Sequence, residues 1–297
     1  MAKADVLLEA LPYLRAFAGK TFVIKYGGSI QDTPGGEESV VQDVLFLHTA
    51  GIWPVVIHGG GREISEAQKK AGLEPKFVAG LRVTNERTMK LTAKVLGRIN
   101  RRIVKRISVF GAVGAGFSGK AGGGVVRARK MILSGIHRKE DLGFVGDVTG
   151  FDVARLMRAK HSDRGRFEAN RSAGFAGRIP ILSSVAVGGK GKLYNVNADD
   201  VAGSLAARLK AAKLILMTDV AGIQDGQGNL LSSIKAGQAR ALIHSGVITR
   251  GMIPKVKSCL KALKSGVGKA HIIDGRLRHS LLLEIFTAKG VGTEIIR

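Results

Sequence analysis

The chain has 297 residues, 45% hydrophobic and 24% charged, which suits a folded core of one large α/β unit or two lobes and excludes a disordered chain. No stretch approaches the roughly 18 consecutive apolar residues of a membrane span, the N-terminus lacks the pattern of a secretory leader, and the single Cys259 excludes an internal disulfide or a cysteine metal cluster. The formal net charge of +24 lies mostly beyond residue 100 and invites a polyanion, but the charges form no single tract and no nucleic-acid module motif is present, so nucleic acid is not expected as the main partner.

In chain order, Asp5–Phe17 reads as an amphipathic segment with Val6, Leu7, Ala10, Leu11 and Leu14 near one face. Thr21–Tyr26 is a β-rich run ending in Gly27-Gly28, and Glu38–Ala50 has helical spacing. Pro54–His58 reads as a buried strand ending in Gly59-Gly60-Gly61, with a helix over Arg62–Ala71. A long helix is expected over Glu86–Ser108, with Thr84 as its N-cap. Gly111–Gly114 reads as a short strand, and Val125–Leu133 with Gly143–Gly150 as hairpin strands. The polar, arginine-rich stretch 161–177 reads as a surface loop.

The second half repeats the style. Arg178–Val187, Lys213–Thr218, Ala270–Asp274 and Gly292–Ile296 are expected strands. Asp199–Ala211, Lys235–Ser245, Ile253–Ser265 and Ser280–Phe286 are expected helices, and Ala221–Leu231 holds an Asp-Gly turn. Alternating β and α of this kind implies an open, mainly parallel sheet covered on both faces, with ligands beyond the carboxyl ends of the strands.

The glycine clusters fall at those ends. In Ile24-Lys25-Tyr26-Gly27-Gly28 a lysine is followed by glycines that let backbone N–H groups approach phosphate oxygens, although the P-loop spacing is absent and a plain tight turn fits as well. Gly59, Gly60 and Gly61 expose donors at a helix N-terminus, where the dipole favours an anion. Arg82 offers a planar fork suited to a carboxylate. In the run from Tyr194 to Asp200, Asn197 or Asp199 caps a helix, and Asn195 has a donor and an acceptor to present. Lys255 sits in the first turn of a helix, against the dipole, a placement that an anion bound there would compensate.

Together these segments resemble the acetylglutamate kinases of the amino acid kinase family. The resemblance is carried by IKYGG (24–28), VVIHGGG (55–61), GLRVT (80–84), GRIN (97–100), NVNADDVAG (195–203), LILMTDVAGI (214–223), GVITRGMIPKV (246–256) and HIIDGR (271–276), in order over nearly the whole chain. It implies a three-layer α/β/α sandwich with an N-terminal arm (1–18), an acceptor lobe (19–187) and an ATP lobe (188–297). The implied reaction is ATP-dependent phosphorylation of the γ-carboxylate of N-acetyl-L-glutamate, a cytoplasmic step of arginine biosynthesis. By the same resemblance Lys25 and Lys255 flank the transferring phosphoryl group, Asp199 holds the two lysines, and Gly28 donates to that group. Gly60, Gly61, Arg82 and Asn195 take the acetylglutamate. Asp219, Val220, Gly222, Ile223, Gln224 and Thr249 line the nucleotide. Mg²⁺ rides on the ATP phosphates, with no protein ligand set of its own.

The N-terminal segment resembles the helix of arginine-inhibited members, in which paired helices join dimers into a hexamer. His271, Glu284 and Gly290 match that group's L-arginine site. The implied assembly is a homo-oligomer, a dimer or a hexamer. Ala121, the extra loop at Pro34-Gly35-Gly36, the long 161–177 stretch and Arg250 depart from the family pattern. Two other readings stand beside this one: a relative acting on glutamate or aminoadipate carried by an acidic protein, which the +24 charge would suit, and a binding protein that retains the fold without catalysis.

Overall fold

The computed structural model describes residues 3–31, 33–134, 139–161, 177–249 and 251–297. Eight strands form the main sheet in the spatial order Ser233–Lys235, Thr293–Ile296, Lys269–Asp274, Lys213–Thr218, Thr21–Tyr26, Trp53–His58, Ile179–Ser183 and Gly114–Phe117. Every neighbouring pair is parallel except Lys269–Asp274 with Thr293–Ile296. Register pairs Lys25 with Leu216 and with Ile57, so the carboxyl ends of the three central strands lie at one edge of the sheet. That edge is where an open parallel sheet places its ligands.

Alternation along the strands divides the core into two layers. Phe22, Ile24 and Tyr26 face one side and pack with Val41 and Leu47 of helix Gly36–Thr49, Leu96 and Ile103 of helix Glu86–Val109, and Leu281 of helix Ser280–Phe286. Val23 faces the other side, against Val201 and Leu205 of helix Ala198–Leu209 and Val256 and Cys259 of helix Met252–Lys264. The expected helix–sheet–helix sandwich is therefore present. A second sheet, Leu193–Asn195, Val185–Val187, Val126–Lys130 and Gly146–Phe151 in that order, sits beside it.

Several local expectations change. The short strand expected at 111–114 lies instead at Gly114–Phe117, because pairing with Ile179–Ser183 sets its register. The run Arg178–Val187 breaks at Ser184 into two strands that join different sheets. Asn85, not Thr84, caps the long helix, its side chain accepting from Thr88 N at 2.9 Å. Ser233–Lys235 and helix Val153–His161 carry no strong sequence signal, and sequence reading missed both.

The N-terminal helix, Lys3–Phe17, forms as expected, and its buried face keeps Ala10 and Leu14 of the expected set but not Leu11. Ala10, Tyr13, Leu14 and Phe17 pack on the core at helical spacing, while Leu8 and Leu11 stay exposed. The side chains of Val6 and Leu7 lie outside the described residues, as do Arg250 and most of the 161–177 stretch.

Candidate functional site

Lys25 follows Val23 on the same face of its strand, so its side chain runs toward the two helices that cover that layer. Those helices approach closely where Gly203 faces Ser258; a Cβ there would lie 3.0 Å from the Ser258 carbonyl oxygen. Their N-terminal turns carry Asp199 and Lys255. Asp199 Oδ2 accepts from Lys255 Nζ at 2.8 Å, and Oδ1 meets Lys25 Nζ at 2.9 Å, an ion-pair contact without the alignment of a good hydrogen bond. Asn197 does the capping, its side chain accepting from Asp199 N at 2.8 Å, which frees the Asp199 carboxylate for the lysines.

All three groups are largely buried. Burial alone would push the Asp199 carboxyl up, but the two ammonium groups outweigh it and hold it at about 2. Burial pulls the Lys25 ammonium below its ordinary value against the pull of Asp199, and Lys255 adds to the decrease. Two cations on one carboxylate leave an excess of one positive charge in a low-dielectric pocket, which favours an anionic ligand.

A cavity of about 240 Å³ opens beside Lys25 and is lined by Gly28, Gly60, Gly61, Arg82 and Asn195 as well as by that lysine. Six of the eight residues expected to act on the acceptor or phosphoryl group thus share one cavity, and Asp199 and Lys255 join it through Lys25. The hairpin Phe77–Val78 with Leu81–Arg82 turns through Ala79 and Gly80, both at positive φ, and delivers Arg82. The guanidinium lies 4.7 Å from the Phe77 ring and donates to Gly61 O at 2.7 Å, Ser65 Oγ at 2.8 Å and Gln68 Oε1. Asn195 Nδ2 reaches Thr84 Oγ1 at 3.3 Å, which ties the second sheet to the Arg82 segment. Ser65 and Gln68 went unnoticed in the sequence, because nothing local marks a polar side chain that will meet an arginine from another element.

The expected nucleotide residues follow the end of strand Lys213–Thr218. Asp219, Val220 and Gln224 are exposed there, Thr249 is exposed in the segment before helix Met252–Lys264, and Asp219 accepts from Thr218 Oγ1 at 3.1 Å. Gly222 has φ +157 and packs so tightly that a Cβ would lie 2.5 Å from Thr293 Oγ1. Ile223 sends its side chain into the core, its N–H to Thr293 Oγ1 at 2.8 Å and its carbonyl to Leu231 N at 2.9 Å, so its backbone groups are already engaged and it shapes the turn from within.

A second cavity, about 520 Å³, lies between the N-terminal helix and the sheet and includes Tyr13, Phe17, Lys213, His271, Glu284 and Gly290. Glu284 Oε1 meets His271 Nδ1 at 2.7 Å, and Oε2 accepts from Val291 N at 2.7 Å and Gly292 N at 2.9 Å. Gly290, at φ +62, leaves room for that carboxylate, since a Cβ would come 2.6 Å from Oε2. Lys213 Nζ lies 2.9 Å from His271 Nε2. Burial pulls Lys213 down to about 8.

The fold and the cationic, glycine-lined cleft define a small-molecule phosphotransferase class, and comparison with known proteins agrees. A model of the amino acid kinase family matches residues 20–274, and the chain belongs to that family. It is 47% identical to the acetylglutamate kinase of Geotalea uraniireducens over 300 residues, covering 99% of this chain and 98% of the relative. It is 46% identical to the acetylglutamate kinase of Geobacter sulfurreducens over 301 residues, covering 99% and 98%. Among solved structures, the N-acetylglutamate synthase of Neisseria gonorrhoeae, complexed with coenzyme A and N-acetyl-glutamate, superposes with a TM-score of 0.85 at 25% identity. The match takes in 100% of this chain, which spans 64% of that synthase chain. Carbamate kinase of Giardia lamblia shares the fold, with a TM-score of 0.62 at 16% identity over 94% of this chain and 99% of that one.

Proposed function

We propose that this chain transfers the γ-phosphoryl group of ATP to the γ-carboxylate of N-acetyl-L-glutamate, forming N-acetyl-L-glutamyl 5-phosphate for arginine biosynthesis in the cytoplasm. The observation that carries the reading is the Lys25–Asp199–Lys255 bridge, 2.9 and 2.8 Å, at the edge of a cavity that also holds Arg82 and six glycines. The acetylglutamate kinase relatives supply the choice of acceptor.

A γ-carboxylate oxygen forms a bond to the γ-phosphorus while the bond to the β–γ bridging oxygen breaks, and ADP leaves. No general base is required, because a carboxylate is ionised near neutral pH. Phosphoryl transfer asks the protein mainly for in-line positioning and for positive charge around the spreading negative charge. Lys25 and Lys255 supply that charge from two separate elements. Asp199 keeps two like charges together at the site, and the N–H groups of Gly28, Gly60 and Gly61 add fixed dipoles. Arg82, with two of its five donors unspent among the described residues, and Asn195 hold the α-carboxylate and the acetyl amide, leaving the γ-carboxylate free to attack.

In this reading residues 19–187 form most of the acceptor side and 188–297 the nucleotide side, where Asp219, Val220, Gly222, Gln224 and Thr249 meet ATP and buried Ile223 anchors the turn that carries them. Charge on the nucleotide phosphates would be neutralised in part by Mg²⁺ carried with the nucleotide. The donor set fits that arrangement: both Asp199 oxygens are engaged by lysines, and among the described residues no cluster of three or more His, Cys, Asp or Glu stands ready to hold a metal.

The second cavity supports regulation. L-Arginine fits a site in which Glu284 receives the guanidinium and His271 and Gly290 shape the wall. Exposed Leu8 and Leu11 give the N-terminal helix an apolar strip for a second copy, consistent with dimers joined into a hexamer. A coupled ADP-release assay offering N-acetylglutamate, glutamate, aspartate and carbamate tests the main reading. Turnover with N-acetylglutamate, reduced by arginine, is the expected result; turnover confined to another acceptor overturns it.

A further inference from the structure

A buried chain of side chains beneath the acceptor loop has no part in the roles above. His58 ends its strand and is fully buried. Its Nδ1 lies 3.0 Å from the carbonyl oxygen of Gly59, and its Nε2 lies 3.1 Å from Asn100 Nδ2. The same Asn100 nitrogen donates to the Ile181 carbonyl at 2.9 Å. Turning the Asn100 amide over would set its oxygen against the Ile181 oxygen, so the nitrogen belongs where it stands. An amide nitrogen only donates; Nε2 of His58 therefore accepts, and the ring proton sits on Nδ1, where it donates to Gly59. Burial brings His58 down to about 4, so the ring is neutral at working pH.

The consequence lies one bond further along. No peptide bond among the described residues is cis, so the Gly59 carbonyl and the Gly60 N–H point in opposite directions. With the carbonyl drawn toward His58, the Gly60 N–H turns away from His58, and among the described residues it has no hydrogen-bond partner. Gly60 lines the acceptor cavity. A Cβ on Gly60 would lie 2.6 Å from Ile99 Cδ1 and 2.8 Å from Leu96 Cδ2, so the loop is pressed onto the helix that also carries Asn100.

We infer that His58 and Asn100 are positioning residues, which fix the Gly59–Gly60 peptide so that the Gly60 N–H is aimed at an oxygen of the anion bound in the cavity. The inference rests on the phosphotransfer reading for the identity of that anion and on the hydrogen-bond geometry for the aim. Neither side chain touches substrate. Their contribution is to keep one donor from turning inward when the cavity is empty, so that no reorientation is needed as charge develops.

Two measurements test it. Imidazole ¹⁵N shifts of the folded wild-type protein, with the His58 signals assigned by their loss in His58→Asn, report the tautomer directly. An Nδ1–H ring is expected, and an Nε2–H ring overturns the inference whatever the acceptor proves to be. Steady-state kinetics then compare His58→Asn, whose amide nitrogen occupies the place of Nδ1 and keeps the donor, with His58→Leu, which removes it. His58→Leu is expected to lose about 10- to 100-fold in kcat, less than the 10²–10³ of deleting a donor outright, with KM for ATP within about twofold of wild type. His58→Asn is expected to stay within about threefold of wild type in kcat. Equal losses in the two variants, or a wild-type rate in His58→Leu, overturn the inference. If the wild type turns over a different acceptor, that acceptor is used throughout, so failure of the substrate assignment and failure of the positioning role are read separately. If His58→Leu does not fold, the tautomer still decides.

Discussion

The molecule holds two buried clusters of charge, and they are built on opposite plans. In the cleft, one carboxylate, Asp199, sits between two lysines. Under the N-terminal helix, one carboxylate, Glu284, is held by His271 and two backbone N–H groups, with Lys213 touching only the far side of the imidazole. The first cluster carries surplus positive charge and few fixed hydrogen bonds, so it is incomplete without an anion. The second has its carboxylate fixed in orientation by backbone and His271, with acceptor capacity left on Oε1. Burial pushes the Glu284 carboxyl up, and His271 with the two N–H groups outweighs it, leaving it below its ordinary value. Surplus charge suits a group in transit; a locked carboxylate suits a ligand that binds and leaves unchanged.

The comparison breaks most sharply at Asp199. Asp199→Asn leaves two buried ammonium groups facing each other. A loss of at least about 10³ in turnover is expected, with about 3–5 kcal/mol of folding stability lost; kinetics and urea unfolding measure both. Next come Lys25→Met and Lys255→Met, each expected to lower turnover by about 10²–10³. These two changes relieve the surplus instead of exposing it, so their stability is expected to stay closer to wild type, and a melt as low as that of Asp199→Asn would contradict the surplus-charge account.

The clusters also separate on the pH scale. The folded value of Asp199, about 2, lies below its ordinary 3.8, so its contribution to stability is present above about 3.8 and is lost as pH falls through 2. Lys213 is the reverse: folded at about 8 against an ordinary 10.5, it makes the unfolded chain bind more protons between those values, and stability rises with pH there. Urea unfolding of Lys213→Met is expected to lack that alkaline rise and to keep the acid loss. The smallest effect is expected at the surface. Leu11→Glu leaves turnover within about twofold, and light scattering is expected to find a smaller assembly than wild type; an unchanged assembly removes the N-terminal helix from the interface.

How far the sequence revealed this plan depends on what each element answers to. The strands Thr21–Tyr26 and Lys213–Thr218 and the helix Ser280–Phe286 were legible to the residue, because each has strong local periodicity and clear punctuation. Gly114–Phe117 and Ser233–Lys235 were not, because they are short and exist through pairing with strands far away in sequence. The N-terminal helix was legible as a helix, and its buried face in part: Ala10 and Leu14 pack as expected, whereas Leu11 stays exposed and the surface available to the helix selects Tyr13 and Phe17.

In the site, the Gly59-Gly60-Gly61 loop and the placement of Lys255 pointed to an anion by themselves, Lys25 with its glycines fitted a tight turn as well, and Asp199, readable alone only as a cap, took its meaning from family resemblance. His58 and Asn100 stood in two of the quoted segments without a role. A buried donor–acceptor chain is a property of the fold, and no spacing rule connects residues 42 positions apart.

The lone cysteine offers a practical opening. Cys259 is enclosed in helix Met252–Lys264, and burial pushes its thiol well above the usual range, so it is inert to maleimide reagents while the protein stays folded. Thiols introduced at exposed Lys76, beside the Arg82 hairpin, and at exposed Gln227, in the turn that follows Ile223, would be the sole reactive pair in the native chain. Spin labels attached there would make the separation of the Arg82 hairpin and the turn after Ile223 a measurable distance, with and without nucleotide, on a background that needs no prior removal of native sulfhydryls.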